Sequence, residues 1–138
     1  MRKLALDVGD VRIGIASSDP MGIIAGAGET YRRTGDDNKD FNYILGKLTP
    51  GEYDTIVVGL PLNMDGTEGD RVQITREFAE KLSNLTDIKI VFQDERLSTV
   101  SAEKMLIESG VRREKRKNVV DKVAAAIILQ SYLDRINK

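Results

Sequence analysis

The chain has 138 residues, 41% of them hydrophobic and 31% charged, which suits one globular domain spanning residues 1–138 around a single core. With 21 Lys+Arg against 22 Asp+Glu the net charge is −1, so any attraction to nucleic acid has to rest on local patches or bound cations. Cysteine and histidine are both absent, which excludes disulfides, thiolate nucleophiles, Ser-His-Asp chemistry and His-ligated zinc together.

"KLALDVG" alternates and ends at Gly9, predicting a first strand; Asp7 interrupts its apolar run too early for a secretory leader. "RIGIASSD" predicts a second strand with Ile13 and Ile15 on one face. After the Pro20-Met21-Gly22 turn, "IIAGAGETYRR" is expected to be a third strand completing an antiparallel meander. Phe41, Ile44, Leu45 and Leu48 then recur at helical spacing, and Pro50-Gly51 ends that helix. "DTIVVGLP" is a continuous apolar run, the mark of a strand covered on both faces. A second helix is expected within 66–86, with Phe78, Ala79, Leu82 and Leu85 inward, and "IKIVFQ" as the fifth strand. Ser98 caps a predicted third helix ending at Gly110; "VRREKRK" reads as a basic loop; Asn118 caps a last helix from Val119 to about Ile136. Met64 and Met105 read as packing residues. The later β-α-β units imply right-handed crossovers and parallel strands, so the fold class is α/β with a mixed sheet flanked by helices. No apolar run approaches the ~20 residues of a membrane span, and the expected location is the cytoplasm, away from membranes.

Acids stand out at three places in the chain. Asp7 sits in an otherwise apolar strand, where a lone carboxylate is costly unless it is paired, binds a metal or caps the Gly9 turn. Asp94 and Glu95 follow the fifth strand, at the edge of a parallel sheet where ligands bind, or else form a salt bridge with Arg96. Asp121 lies in the first turn of the last helix, where the helix dipole alone would favour an acid. All three can converge at one end of the sheet. Clustered carboxylates become hard oxygen ligands for Mg²⁺ or Mn²⁺, and two such ions about 3.5–4 Å apart can clamp a phosphodiester. That chemistry needs no histidine.

"LALDVGDVRIGIASSD", "VVGLPLNMDGTEG", "FQDERLSTVSAE" and "VDKVAAAIILQSYLD" resemble, in order, the blocks of the YqgF/RuvX family. These are bacterial ribonuclease H-like proteins, named for Holliday junction resolvases and pre-16S rRNA nucleases. The resemblance covers nearly the whole chain and implies a ribonuclease H-like, five-stranded mixed sheet. It implies Asp7, Glu95 and Asp121 as catalytic metal ligands, with Asp94 as a further ligand or a partner of one. Many relatives have Pro where this chain has Asp70, a departure that touches no catalytic position. The implied activity is a metal-dependent endonuclease, using two Mg²⁺ or Mn²⁺ ions and processing the 5′ end of pre-16S rRNA in ribosome biogenesis. The alternatives are a Holliday junction resolvase of DNA recombination and repair, or a non-catalytic accessory factor of ribosome maturation or transcription. The implied partners are structured RNA or branched DNA, within a pre-ribosomal particle, for a monomer or homodimer. An actin-like ATPase shares the Asp-x-Gly strand but needs two such domains, which 138 residues cannot supply.

The remaining candidates concern substrate binding. Arg12 and Arg96 are each placed either to hold a phosphate bidentately or to orient a carboxylate. Asn63 and Gly66 either line the site or simply turn the chain into a helix. Arg112, Arg113, Lys115, Arg116 and Lys117 form either a solvated face or a phosphate-binding loop before Asp121. "MGIIAGAGET" lacks the G-K-[ST] of a phosphate loop, and at 5% aromatics a base-stacking platform is poorly supported.

Overall fold

The computed structural model describes residues 1–96 and 113–137, the side chains of 113–122 excepted. In chain order the elements are β1 (Arg2–Val8), β2 (Arg12–Ser17), β3 (Glu29–Arg32), α1 (Asp37–Leu45), β4 (Tyr53–Leu60), α2 (Asp70–Ser83), β5 (Lys89–Asp94) and α3 (Arg113–Ile136). The strands form one five-stranded sheet in the order β3-β2-β1-β4-β5. β1 pairs antiparallel with β2 and β2 with β3, whereas β1–β4 and β4–β5 are parallel. This is the mixed α/β sheet expected from the element order.

Period-two alternation sorts the strand residues onto two faces. Leu4, Leu6, Val8, Ile13, Ile15, Ile56 and Val58 form one core with Phe41 and Ile44 of α1 and Phe78, Ala79 and Leu82 of α2. On the other face Ala5, Ala16 and Val57 meet Ala125, Ile128, Leu129, Tyr132 and Leu133 of α3. The small side chains of Ala5, Ala16 and Ala125 let α3 lie close against β1 and β2. Truncating a fully buried large residue such as Leu6 to Ala is expected to cost about 2–5 kcal/mol.

The α1 end of the first core is fastened by a carboxylate. Asp40 is 0% exposed and accepts hydrogen bonds from Tyr31 Oη (2.9 Å), Arg33 Nε (3.1 Å), Thr34 N (3.1 Å) and Thr34 Oγ1 (3.1 Å). Burial alone would push its pKa up. The bonds from Thr34, Tyr31 and Arg33 outweigh burial, and the carboxyl stays below its ordinary value.

Several expectations are corrected. The third strand is only Glu29–Arg32; before it the chain touches the sheet through a single bridge, Ser18 with Ala25. Residues 19–25 are instead tied down by side chains. Asp19 accepts the amides of Met21, Ile23 and Ile24, and Gln130 of α3 bonds Ala25 N and Ile23 O. Leu85 is exposed because α2 stops at Ser83, and Met64 is exposed as well. The basic loop is not a loop where it is described: Arg113–Lys117 belong to α3, which therefore starts before Asn118. Residues 113–136 contain neither Gly nor Pro, and Arg, Lys and Glu are good helix formers, so nothing local interrupts the helix. The predicted helix between Ser98 and Gly110, with Met105, lies outside the described residues.

Candidate active site

The carboxyl ends of β1, β4 and β5 lie side by side, with Leu6 opposite Val58 and Leu60 opposite Asp94. Asp7 alternates with Ala5, so it projects from the α3 face of the sheet, and its strand partner there is Gly14. β5 ends at Asp94, and the amide of Glu95 still reaches Leu60 O at 3.2 Å. The two adjacent acids therefore part company. Asp94 turns outward and accepts both the backbone N (2.9 Å) and Nε (2.8 Å) of Arg96. Glu95 turns inward over Gly59.

Gly59 makes that possible. A Cβ at this position would collide with Glu95 Oε2 and would approach Ile128 Cδ1 within 2.7 Å. The space left by the missing side chain lets the Glu95 carboxyl settle against Asp7, within hydrogen-bonding reach. Burial, then the Asp7 charge and that hydrogen bond, push the Glu95 pKa up to about 8; Arg71 opposes the rise and Asp94 adds to it. Two carboxyls forced together out of water form an oxygen-only donor pair of the type that hard divalent ions prefer. Among the described residues no group of three possible ligands occurs, and the side chain of Asp121 lies outside them.

Arg71, in the first turn of α2, went unrecognised in the sequence. Its Nη1 donates to Asp10 at 2.6 Å and its Nη2 to Val8 O at 3.3 Å. From the other side Arg33 Nη1 donates to Gly9 O at 3.0 Å. Two arginines thus brace the turn between β1 and β2, immediately after Asp7. The turn itself is tight: Gly9 N bonds Arg12 O at 2.9 Å, and a Cβ on Gly9 would sit 2.7 Å from that oxygen. The only available signal for Arg71 was its place in the "GTEGDRV" stretch, at the start of a helix whose first turn faces the sheet edge.

The other expected residues divide. Arg12 opens β2 and makes no hydrogen bond or ion pair from its guanidinium among the described residues. Arg96 is held by Asp94, not Glu95, and Nη1 lies 3.3 Å from where a Cβ on Gly66 would stand. Asn63 closes its own loop: Nδ2 donates to Thr67 Oγ1 at 3.0 Å, and its backbone bonds Thr67 and Gly66. Arg112 and the side chains of Arg113, Lys115, Arg116, Lys117 and Asp121 lie outside the described residues.

Comparison with known proteins bears on this arrangement. The chain is 48% identical over 136 residues to a Halalkalibacterium halodurans protein named "Putative pre-16S rRNA nuclease", covering 98% of this chain and 97% of that one. A Ruegeria pomeroyi protein of the same name is 51% identical over 131 residues, 95% of this chain and 84% of the relative. Thermus thermophilus RuvC shares the fold, with a TM-score of 0.58 at 11% identity over 99% of this chain and 97% of RuvC. That likeness supports the ribonuclease H-like architecture and nothing finer. Residues 1–135 match the family described as "RuvX: Holliday junction resolvase", and with relatives of this identity along nearly its whole length the chain belongs to the RuvX family.

Proposed function

We propose that the protein is a metal-dependent endonuclease that hydrolyses phosphodiester bonds in structured nucleic acid, processing the 5′ end of pre-16S rRNA in the cytoplasm. The observation that carries this reading is the pairing of Asp7 with the half-buried Glu95 at the carboxyl edge of the parallel strands. A fold gains no stability from pressing two acids together, so the arrangement makes sense as a site prepared for a cation. The names borne by close relatives point to the same chemistry.

In this reading Asp7, Glu95 and Asp121 hold one or two Mg²⁺ or Mn²⁺ ions. Asp121 stands four residues before Ala125 and seven before Ile128, the spacing of one helical stripe, and Ala125 and Ile128 pack on the Asp7 face. Bound there, a divalent ion supplies Lewis-acid stabilisation of the charge that builds on the phosphoryl oxygens and makes water a competent nucleophile at neutral pH. Asp94 fixes the guanidinium of Arg96 at the rim, where it can meet a phosphate oxygen. Arg71 keeps the Asp7 turn in place and sets a positive charge near Glu95. Arg12 and the basic first turns of α3, Arg113 to Lys117, contribute phosphate contacts, and Asn63 orders the loop beside Arg96. The enzyme acts as a monomer or homodimer on a pre-ribosomal particle.

A second reading, cleavage of four-way DNA junctions, rests on the description of the family. Both are tested together. Purified protein with Mn²⁺ is given an RNA carrying the 16S leader and, separately, a four-way junction, alongside Asp7→Asn and Asp121→Asn. Cleavage of the RNA by wild type alone is expected. Junction cleavage without RNA cleavage would favour the second reading. If wild type cuts neither substrate faster than Asp7→Asn, the nuclease reading fails and a non-catalytic binding role takes its place.

A further inference from the structure

Arg12 and Arg32 are direct partners across β2 and β3. Arg33 N bonds Val11 O at 2.8 Å on the flank of this pair, which makes it a non-hydrogen-bonded position. At such positions the side chains of opposed residues come closest, with Cα atoms about 4.5 Å apart. Like charges placed directly opposite one another destabilise a sheet. By contrast, Arg33, Arg71, Arg76 and Arg96 each hold a carboxylate. The guanidiniums of Arg12 and Arg32 make no hydrogen bond or ion pair among the described residues. The acid nearest along β3, Glu29, alternates to the opposite face, where Tyr43 and Lys47 engage it.

The pair's position supplies the missing anion. Arg12 shares its face with Gly14 and Ala16; Ala16 packs against α3, and Gly14 is the strand partner of Asp7. Arg32, opposed to Arg12, leaves the sheet on that same face. Both guanidiniums therefore stand on the Asp7 side of the sheet, at the end where Asp7 and Glu95 meet, one and two strands away from β1. We propose that Arg12 and Arg32 together clamp one phosphodiester of the nucleic-acid strand beside the bond that is cut, leading the strand from the carboxylates across β2 and β3. Guanidiniums suit this because each offers a planar fork of donors to phosphate oxygens. As a statement about substrate, the clamp rests on the nuclease reading above; as a phosphate site, it can be tested without catalysis.

The test is binding of a fluorescein-labelled RNA stem-loop in EDTA, by anisotropy, across a series of NaCl concentrations. The variants are Arg12→Gln, Arg32→Gln, the double variant and Arg32→Glu, with cleavage in Mn²⁺ measured in parallel. Arg32 is exposed, so its variants are expected to fold, which thermal melting checks. Each single Gln variant is expected to weaken binding about five- to tenfold at low salt and to reduce the slope of log K against log salt by about one. Arg32→Glu is expected to weaken it further. Unchanged affinity and slope in Arg32→Glu would overturn the clamp, even if wild type cleaves RNA. A wild type that does not cleave, but whose salt slope still falls in these variants, would overturn the nuclease reading and leave the clamp standing.

Discussion

Asp40 and Glu95 are both withdrawn from water, yet their surroundings are opposite. Asp40 meets only donors, from Tyr31, Arg33 and Thr34, and its pKa falls. Glu95 meets another acid, Asp7, and its pKa rises to about 8. The first carboxylate is fully satisfied within the chain and ties α1 to the β3 end of the sheet. The second has a like-charged acid as its nearest partner among the described residues. The contrast separates the structural acid from the proposed functional one more clearly than burial does, since burial pushes both pKa values upward.

Substitutions can break this contrast in order of size. Glu95→Gln is expected to reduce cleavage about a thousandfold, because it removes a charge required at the reacting phosphate; single-turnover kinetics measures it. The next effect belongs to Asp40. Asp40→Ala removes one of the two carboxylates that a part-buried Arg33 holds, with the acceptor of Tyr31 and Thr34, and is expected to cost about 3 kcal/mol in urea unfolding. Its pH dependence has a definite sign. The folded pKa is depressed, so the Asp40 contribution is complete above the unfolded value of about 3.9 and is lost as pH falls through the lower, folded one. An Asp40→Asn protein should therefore show a flatter loss of stability on acidification than wild type. Third, the same Glu95→Gln change should raise stability by about 2 kcal/mol in EDTA at neutral pH, since glutamine, unlike Glu95 with its raised pKa, has no proton to take up on folding. A fall in stability instead would place Glu95 among the structural acids. Smallest, Tyr31→Phe removes one of the four bonds to Asp40 and should cost about 1 kcal/mol while leaving cleavage unchanged.

What could be read in the sequence follows from how local its causes are. β1 and β4 were legible because continuous or alternating apolar runs leave few other structures open, and Phe41, Ile44 and Leu48 are buried as their spacing requires. The stretch 23–28 misled because its isoleucines and alanines resemble a strand, whereas distant partners, Gln130 above all, hold it. Helix α3 starts before Asn118 because Arg, Lys and Glu propagate helices well, so a run of charge is not by itself the mark of a loop. At the site, Asp7 was legible as an acid in an apolar strand, and Asp94 and Glu95 only as a pair of acids at a strand tip. The choice between Asp94 and Glu95 was not, since it turns on where β5 stops. Arg71 was invisible for a similar reason: only the folded chain brings α2 to the Asp7 turn.

Gly59 carries a consequence for how such a site arises and is lost. The acid most exposed to like-charge repulsion keeps its place because a neighbouring strand lacks a side chain, and Glu95 Oε2 and Ile128 Cδ1 share the opening. One methyl group on β4 would evict the carboxylate without changing a single charge. A lineage could thus switch off the chemistry and keep the scaffold by a single Gly-to-Ala step, and the three acids would still read as intact in the descendant's sequence.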